Sequence, residues 1–358
     1  IVGVGLIGGS FGLGLKRTGF AGTVVGVSRE ETIGRALQLG AIDEGWGYDQ
    51  LERALKDTDL VVVCTPIKRI LELLEGIAEH APPGVLVTDV GSTKRKIMER
   101  AQSVLTGDRY FVGGHPMAGS EKAGVMAADP FLFQNAIYIL VSTAAVPAQL
   151  YEEFSQLLRR LGARVLELSA EVHDQVVAAI SHLPQVMATS LVNLVGRLNE
   201  EQGQFTTLAA GGFRDLTRIA SSPFFPVWSD IFGTNADEIR AMIDRYVEIL
   251  VDIRGRLDDA GLEKEFSYAN DVRSTIPRDA KGFLFTLEEL LVVAEDRPGV
   301  IAEIANALAN QKININDIEV MKVREGEGGT LRLGFEGTDA AERALSVLTD
   351  LGYVARRP

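Results

Sequence analysis

The chain has 358 residues, too many for one ordinary core, and this length predicts two or three domains. Hydrophobic residues at 46% and charged residues at 24% describe a globular protein, and a formal charge of -13 argues against nucleic acid or an anionic membrane as partner, since both are held by clustered Lys and Arg. The single cysteine, Cys64, excludes an internal disulfide framework and a Cys-based zinc site, and it suits a reducing cytoplasm. A small anionic ligand stays compatible with this balance, because a few local arginines suffice to bind it. No apolar run approaches the ~18–20 residues needed to cross a bilayer, and no signal peptide is expected. The sequence opens inside an apolar strand pattern without a methionine, as expected where the first few residues are missing.

From residue 1 to 168 short apolar runs alternate with helical patterns. "IVGVG", "TVVGVS", "DLVVVCTP", "VLVTDVG", "YILVST" and "ARVLEL" read as strands, and the apolar spacing of three and four across 67–80 and 147–161 reads as helix. Such alternation predicts a mostly parallel sheet with helices on both faces. Strand signals then vanish. Residues 170–200 and 235–258 read as long helices, with a Gly-rich turn "AAGGFRD" and the Pro-rich "SSPFFPVW" between them. The polar stretch 259–285 contains "STIPRDAKG", which reads as a linker. Beyond it "ELLVVAED", "GVIAEIANALANQ", "INDIEVMKV", "GTLRLGFE", "DAAERALSVLTD" and "YVAR" follow the order βαββαβ of a ferredoxin-like unit. The expected fold is therefore an α/β Rossmann domain over 1–168, an all-α domain over 169–283 and a ferredoxin-like domain over 284–358.

"GVGLIGGS" places Gly3, Gly5 and Gly8 in G-x-G-x-x-G spacing between a strand and a helix. The first glycine permits the tight turn, the second lets backbone approach a pyrophosphate, and the third lets helix pack on strand; Leu6 and Ile7 open the helix whose N-terminus faces the anion. This predicts an NAD(P) site. The second strand ends in Ser28 and Arg29, where an NAD-preferring site usually carries Asp or Glu for the ribose 2′-hydroxyl. Ser and Arg are donors to a 2′-phosphate, which tilts the reading toward NADP, although Arg29 stacked on adenine would also serve NAD. Thr65, Pro66 and Ser92 lie at carboxyl ends of predicted parallel strands and are candidates for the nicotinamide end. Cys64 reads as a buried strand residue. One of only four histidines, His115, stands in "GGHPMAGSEKAG", a stretch too Gly-rich for a helix.

Together, "GVGLIGGS", "GGHPMAGSEKAG", "ISHLPQ" and "GGFRDLTRIA" resemble the prephenate and arogenate dehydrogenase family of tyrosine biosynthesis, across essentially the whole chain. "EDRPGVIAEI" looks like the start of an ACT regulatory domain. The resemblance implies oxidative decarboxylation of a cyclohexadiene dicarboxylate: hydride leaves ring C4, the ring carboxylate departs as CO2, and aromatisation makes the reaction strongly downhill. It implies that His115 accepts the C4 hydroxyl proton, a role that suits an imidazole with an ordinary pKa of about 6.5, and that Ser92 lies beside the same hydroxyl. By the same resemblance Arg218 binds a substrate carboxylate, with Arg214 four residues away on the same helical face. His182, Ser120, Glu121 and Trp228 border the substrate. His80 and His173 lie in plain helical surface patterns and are expected in solvent.

The resemblance further implies a homodimer built through the helical domain and an ACT domain binding L-tyrosine as effector. Gly299 stands at its strand-to-helix turn, and Asn314, Asn316 and Asp317 lead into the next strand. Two alternatives stay open: an arogenate dehydrogenase using NADP, or a catalytically silent amino-acid sensor. A β-hydroxyacid dehydrogenase would carry a catalytic lysine in the middle domain, and "AAISHLPQVMATSLVNLVGRL" has none.

Overall fold

Residues 1–119, 122–276, 287–295, 297–324 and 328–357 are described by the computed structural model, which divides into two units, Ile1–Phe266 and Ser267–Pro358. In the first, the opening strand is reduced to single bridges from Val2 to Val27 and to Val63. Then follow α1 (Leu6–Arg17), β1 (Val25–Val27), α2 (Glu30–Gln38), β2 (Glu44–Trp46), α3 (Leu51–Leu55), β3 (Leu60–Val63), α4 (Ile67–His80), β4 (Leu86–Asp89), α5 (Arg95–Val104), β5 (Tyr110–Pro116), β6 (Ile137–Val141), α6 (Ala148–Arg160) and β7 (Arg164–Glu167). Strands β3 to β7 form a five-stranded sheet in sequence order, Val2 links it to the parallel pair β1–β2, and the pairing is parallel except between β5 and β6.

The local reasons are plain in the side chains. β3 is a run of Leu and Val, buried after its first residue, as a strand covered on both faces requires. α4 buries Ile67, Ile70, Leu73, Leu74 and Ile77, a stripe at spacings of three and four. One core gathers α4 and α5 against the sheet and the helical layer; the other gathers Phe11 and Leu15 of α1 with Phe154 and Leu158 of α6.

The helical layer begins with α7 (Ala170–Val177), whose N-cap Ser169 accepts from the Val172 amide. A π-helical turn over Ala178–His182 leads into α8 (Leu183–Gln202), which stops at Gly203 in the left-handed region with φ +75°. Next come α9 (Gly211–Thr217), a 3-10 turn Arg218–Ser221, a turn Phe224–Trp228, α10 (Ser229–Thr234) and α11 (Ala236–Gly255); α12 (Glu263–Thr275) runs across the boundary between the two units. Three expectations need correction. "AAGGFRD" is a turn only at its start, since Gly211 already opens a helix that Phe213 and Leu216 continue. The polar stretch after 259 holds α12, while residues 277–282 of the expected linker lie outside the described residues. The helical run Ala170–Gln202 spans 33 residues with a mean hydropathy of 1.2 over an 18-residue window, long and apolar enough to cross a bilayer by those measures alone. Counting only unbroken apolar stretches missed it, because Ser181, His182 and Gln185 punctuate a segment that is apolar on average.

In the second unit β8 (Glu288–Ala294), α13 (Val300–Asn310), β9 (Asp317–Arg324), β10 (Gly328–Phe335), α14 (Thr338–Asp350) and β11 (Val354–Arg356) build an antiparallel sheet in the order β11-β8-β10-β9. Leu290, Val292, Leu331 and Leu333 pack on Ile304 and Leu348 of the two helices. This is the predicted ferredoxin-like arrangement.

Candidate active site

The glycine turn has the shape its spacing predicts. Gly3 has φ +94°, and a Cβ there would lie 2.7 Å from the Cys64 carbonyl oxygen; one on Gly8 would lie 2.2 Å from the Gly3 carbonyl oxygen. A Cβ on Gly5 meets nothing within 4 Å, so the space beyond the N-terminus of α1 is open where a pyrophosphate approaches. Beside this turn the Thr65 hydroxyl is buried without a hydrogen-bond partner. An open glycine at a helix N-terminus and an orphaned hydroxyl fit a dinucleotide. Ser28, buried, follows β1 and donates its amide to the Trp46 carbonyl, and exposed Arg29 caps α2. Pro66 caps α4. Cys64 lies just past β3 and is partly exposed as a residue, against the expectation of a buried strand position, while burial pushes its thiol up to about 12, as suits an inert cysteine.

β5 carries His115 at its carboxyl end, next to Gly114, whose backbone is clamped on both sides. The Gly114 amide donates to Asp89 Oδ1 at 3.1 Å and its carbonyl accepts from Lys94 Nζ at 2.7 Å. Lys94 also donates to Asp89 Oδ2, and both side chains are fully buried. Glycine is needed here, because a Cβ on Gly114 would lie 2.5 Å from the Asp89 carbonyl oxygen. Half-buried His115 is thus held on a strand end that cannot drift.

Its neighbour comes from the helical layer. His115 Nδ1 lies 2.8 Å from His173 Nε2, with the rings edge-to-face, and His173 Nδ1 lies 2.8 Å from Asp174 Oδ1. Asp174 is fully buried and accepts the Lys94 and Arg95 amides at 2.6 and 3.0 Å, where it closes the N-terminus of α5. The Arg95 guanidinium reaches it at 3.5 Å and pairs with Asp237 at 2.6 Å. Asn235 donates to the Asp174 carbonyl at 2.8 Å and lies 3.4 Å from His182 Nδ1. The expectation that His173 is solvated is therefore wrong: it is 0% exposed, since α7 turns this side toward the sheet rather than toward water. His80 keeps 30% of its side chain in water.

Burial holds the His115 pKa well below 6.5, and its electrostatic coupling to His173, Lys94 and His182 acts in the same direction. Burial lowers His173 too, against the Asp174 carboxylate, and holds His182 at about 4. Asp174 lies below the usual carboxylate range because hydrogen bonds from His173 and the two amides outweigh its burial.

His182 interrupts the long helix at the π-helical turn and is buried, edge-on to Trp228 with centroids 6.1 Å apart. Trp228 is partly buried against the same core and also meets Phe232. Arg214 on α9 and Arg218, which opens the 3-10 turn after α9 ends at Thr217, are both exposed but do not share one continuous α-helix, so the common helical face expected for them is interrupted. Ser92 sits half-buried in the loop between β4 and α5, and among the described residues it makes no hydrogen bond to His115. Ser120 and Glu121 lie outside the described residues. Asp89, Lys94, Asp174 and Asn235 escaped the sequence reading. The signals available were a carboxylate closing an apolar strand in "VLVTDVG" and a His-Asp pair one turn inside a Ser-capped helix.

In the second unit Gly299 has φ +92° and caps α13, Asn316 Oδ1 accepts the Glu336 amide at 3.2 Å, and Asn314 is exposed. The Asp317 carboxylate lies 3.5 Å from the Arg332 guanidinium, which also pairs with Glu289 and Glu319.

A glycine turn shaped for pyrophosphate, at the strand edge that also carries a half-buried histidine with a depressed pKa, defines a nicotinamide-dinucleotide dehydrogenase fold. Family models match in chain order: prephenate dehydrogenase, nucleotide-binding domain over 11–167, prephenate dehydrogenase, dimerization domain over 169–268, and ACT domain over 289–351. The prephenate dehydrogenase of Bacillus subtilis is 39% identical, covering 96% of this chain and 93% of that protein. The crystal structure of Aquifex aeolicus prephenate dehydrogenase with hydroxyphenyl propionate and NAD+ is similar with TM-score 0.70 and 31% identity, over 76% of this chain and 94% of that one. Synechocystis arogenate dehydrogenase follows with TM-score 0.67 and 29% identity, over 76% and 97%. The chain belongs to the prephenate dehydrogenase family, with a C-terminal ACT domain.

Proposed function

We propose that this chain oxidises and decarboxylates prephenate to 4-hydroxyphenylpyruvate in tyrosine biosynthesis, with His115 as the base. The observation that carries this is a histidine held neutral on a clamped strand end, with Nδ1 engaged by His173 and Nε2 without a protein partner among the described residues. His115 takes the C4 hydroxyl proton as the ring carbonyl forms. The nicotinamide, when bound, accepts the hydride from C4. Gly3, Gly5, Leu6, Ile7, Gly8, Thr65 and Pro66 hold the dinucleotide. Ser28 and Arg29 are donors for a 2′-phosphate, which favours NADP; the Aquifex aeolicus relative, crystallised with NAD+, argues for assaying both. Arg218 and Arg214 take the substrate carboxylates, Ser92 borders the reacting hydroxyl, and His182, Trp228, Ser120 and Glu121 line the substrate side.

We place the domain boundaries at 168/169 and 283/284. Leu194 on α8 and Ile249 and Leu250 on α11 are exposed, and only 28% of the apolar window in Ala170–Gln202 is buried within the chain, which supports a homodimer through this layer over a membrane span. The charge balance and lone cysteine suit the cytoplasm. The ACT domain takes L-tyrosine near Gly299, Asn314, Asn316 and Asp317, and inhibition follows where tyrosine binds more tightly to an inactive state.

The test is an initial-rate assay of nucleotide reduction with prephenate or arogenate, each with NAD+ or NADP+, with and without L-tyrosine. Prephenate turnover, lowered by tyrosine and reduced roughly 10²–10⁴-fold in His115→Asn, is expected. Turnover of arogenate alone would change the substrate, and no turnover with any pair would leave the amino-acid sensor.

A further inference from the structure

His173 and Asp174 have no part in the chemistry above, yet they form the wall behind His115. We propose that they are positioning residues that fix His115 as its Nδ1–H tautomer, so that its lone pair stands on Nε2 where the substrate hydroxyl arrives. This rests on the reading of His115 as the base.

The argument runs outward from Asp174. Two backbone amides and the Arg95 guanidinium face its buried carboxylate, so it is ionised and only accepts. His173 Nδ1, 2.8 Å away, must then carry hydrogen. Neutral His173 has no second ring hydrogen, so its Nε2 accepts, and the hydrogen in the 2.8 Å contact belongs to His115 Nδ1. Only Nε2 of His115 is left with a lone pair. The order of donors is therefore set by a carboxylate two rings away.

The proton balance follows. The substrate O–H bond breaks as the C=O bond forms, its proton goes to His115 Nε2, and the resulting imidazolium keeps Nδ1–H directed at His173. Lys94 faces this cation from the N-terminus of α5 and opposes it, while Asp89 neutralises Lys94 and Asp174 lies one ring beyond. A free imidazole would populate both tautomers; one with hydrogen on Nε2 presents a donor and cannot take the proton.

The experiment uses the full chain with its histidines labelled with 15N, and reads which ring nitrogen of His115 bears hydrogen. Only four histidines contribute, and His115→Asn assigns the signal. Hydrogen on Nδ1 in the wild type is expected; hydrogen on Nε2 would overturn the proposal without any variant having to fold. His173→Leu leaves Asp174 its two amide donors, so the fold should survive, and it should mix the tautomers and lower kcat roughly 10²-fold with KM changed less than about threefold. His173→Gln, whose amide oxygen accepts from Nδ1, should recover part of that loss. If His115→Asn is inactive while His173→Leu keeps kcat within about threefold, the lock is wrong and the base stands; if His115→Asn is active, the base itself is wrong.

Discussion

Replacing Lys94 by Met tests whether the floor under His115 is electrostatic. Lys94 and Asp89 are both fully buried and pair directly, and Lys94 also satisfies the Gly114 carbonyl at 2.7 Å. Methionine fills similar space, so little cavity is expected. What changes is charge. Asp89 would keep only the amides of Gly91 and Gly114, at 2.7 and 3.1 Å, and the Gly114 carbonyl would lose its donor. Breaking a buried pair by removing one partner typically costs about 3–5 kcal/mol, a large part of the roughly 5–15 kcal/mol that holds a domain together. Urea unfolding followed by tryptophan fluorescence, which reports the first unit through Trp46 and Trp228, should show that loss as a lower midpoint. Lys94→Met with Asp89→Asn should recover much of it, because no charge is then stranded. Activity should fall further than dinucleotide affinity, as Gly114 directly precedes His115. A loss under about 1 kcal/mol, or a double variant no better than the single one, would refute the reasoning.

Two further predictions separate effects that a structure alone confounds. Gly5→Ala adds a Cβ to open space and should leave the melting temperature unchanged while weakening dinucleotide binding at least about tenfold, whereas Gly8→Ala meets the Gly3 carbonyl at 2.2 Å and should destabilise the fold as well; equal melting temperatures for the two would contradict the assigned geometry. His182 is held neutral, with its pKa near 4 rather than 6.5, so the unfolded chain binds its proton first and stability is lost as pH falls from about 6.5 toward 4. At 1.36 kcal/mol per pKa unit the loss is about 3 kcal/mol, and His182→Gln should flatten that part of the stability profile; an unchanged slope in urea titrations at pH 7 and pH 4.5 would rule the linkage out.

The fold was legible where one physical requirement selects one residue type. A tight turn under a pyrophosphate demands glycine, so Gly3, Gly5 and Gly8 announced themselves, and apolar runs and period-3.6 spacing drew most of the sheet and its helices, though not β2 or β5, whose sequences "EGW" and "YFVGGHP" are short or glycine-interrupted. His115 stood out as one of four histidines in a glycine-rich stretch, but its role was legible only through the resemblance to the family, and the strand that carries it reads as a loop. His173 was misread because its neighbours along α7 are those of an amphipathic surface helix, and only the register of that helix against β5 decides which side faces water. Asp89, Lys94 and Asp174 were invisible for the same reason: a buried charge is told from a solvated one by its partners, and these stand 5, 20 and 80 residues apart in pairs such as Lys94 with Asp89, Gly114 and Asp174. Helix α9 was missed because paired glycines argue against a helix locally, and packing on α8 overrides that preference.

The depressed pKa of His115 poses a problem that the arrangement itself resolves. A pKa held below the ordinary imidazole value would keep the proposed base unprotonated near neutral pH, yet a lower pKa makes it a weaker acceptor. In the proposed reaction this is tolerated because the C4 hydroxyl becomes acidic only as hydride departs and the carbonyl forms. Positive charge would then develop on His115, and Asp174, reached through His173 by two contacts of 2.8 Å, is oriented to stabilise it. The same carboxylate caps α5 through the Lys94 and Arg95 amides, so it stays in place before the proton moves. On the proposed reading of His115 as the base, basicity is thus supplied where the charge develops.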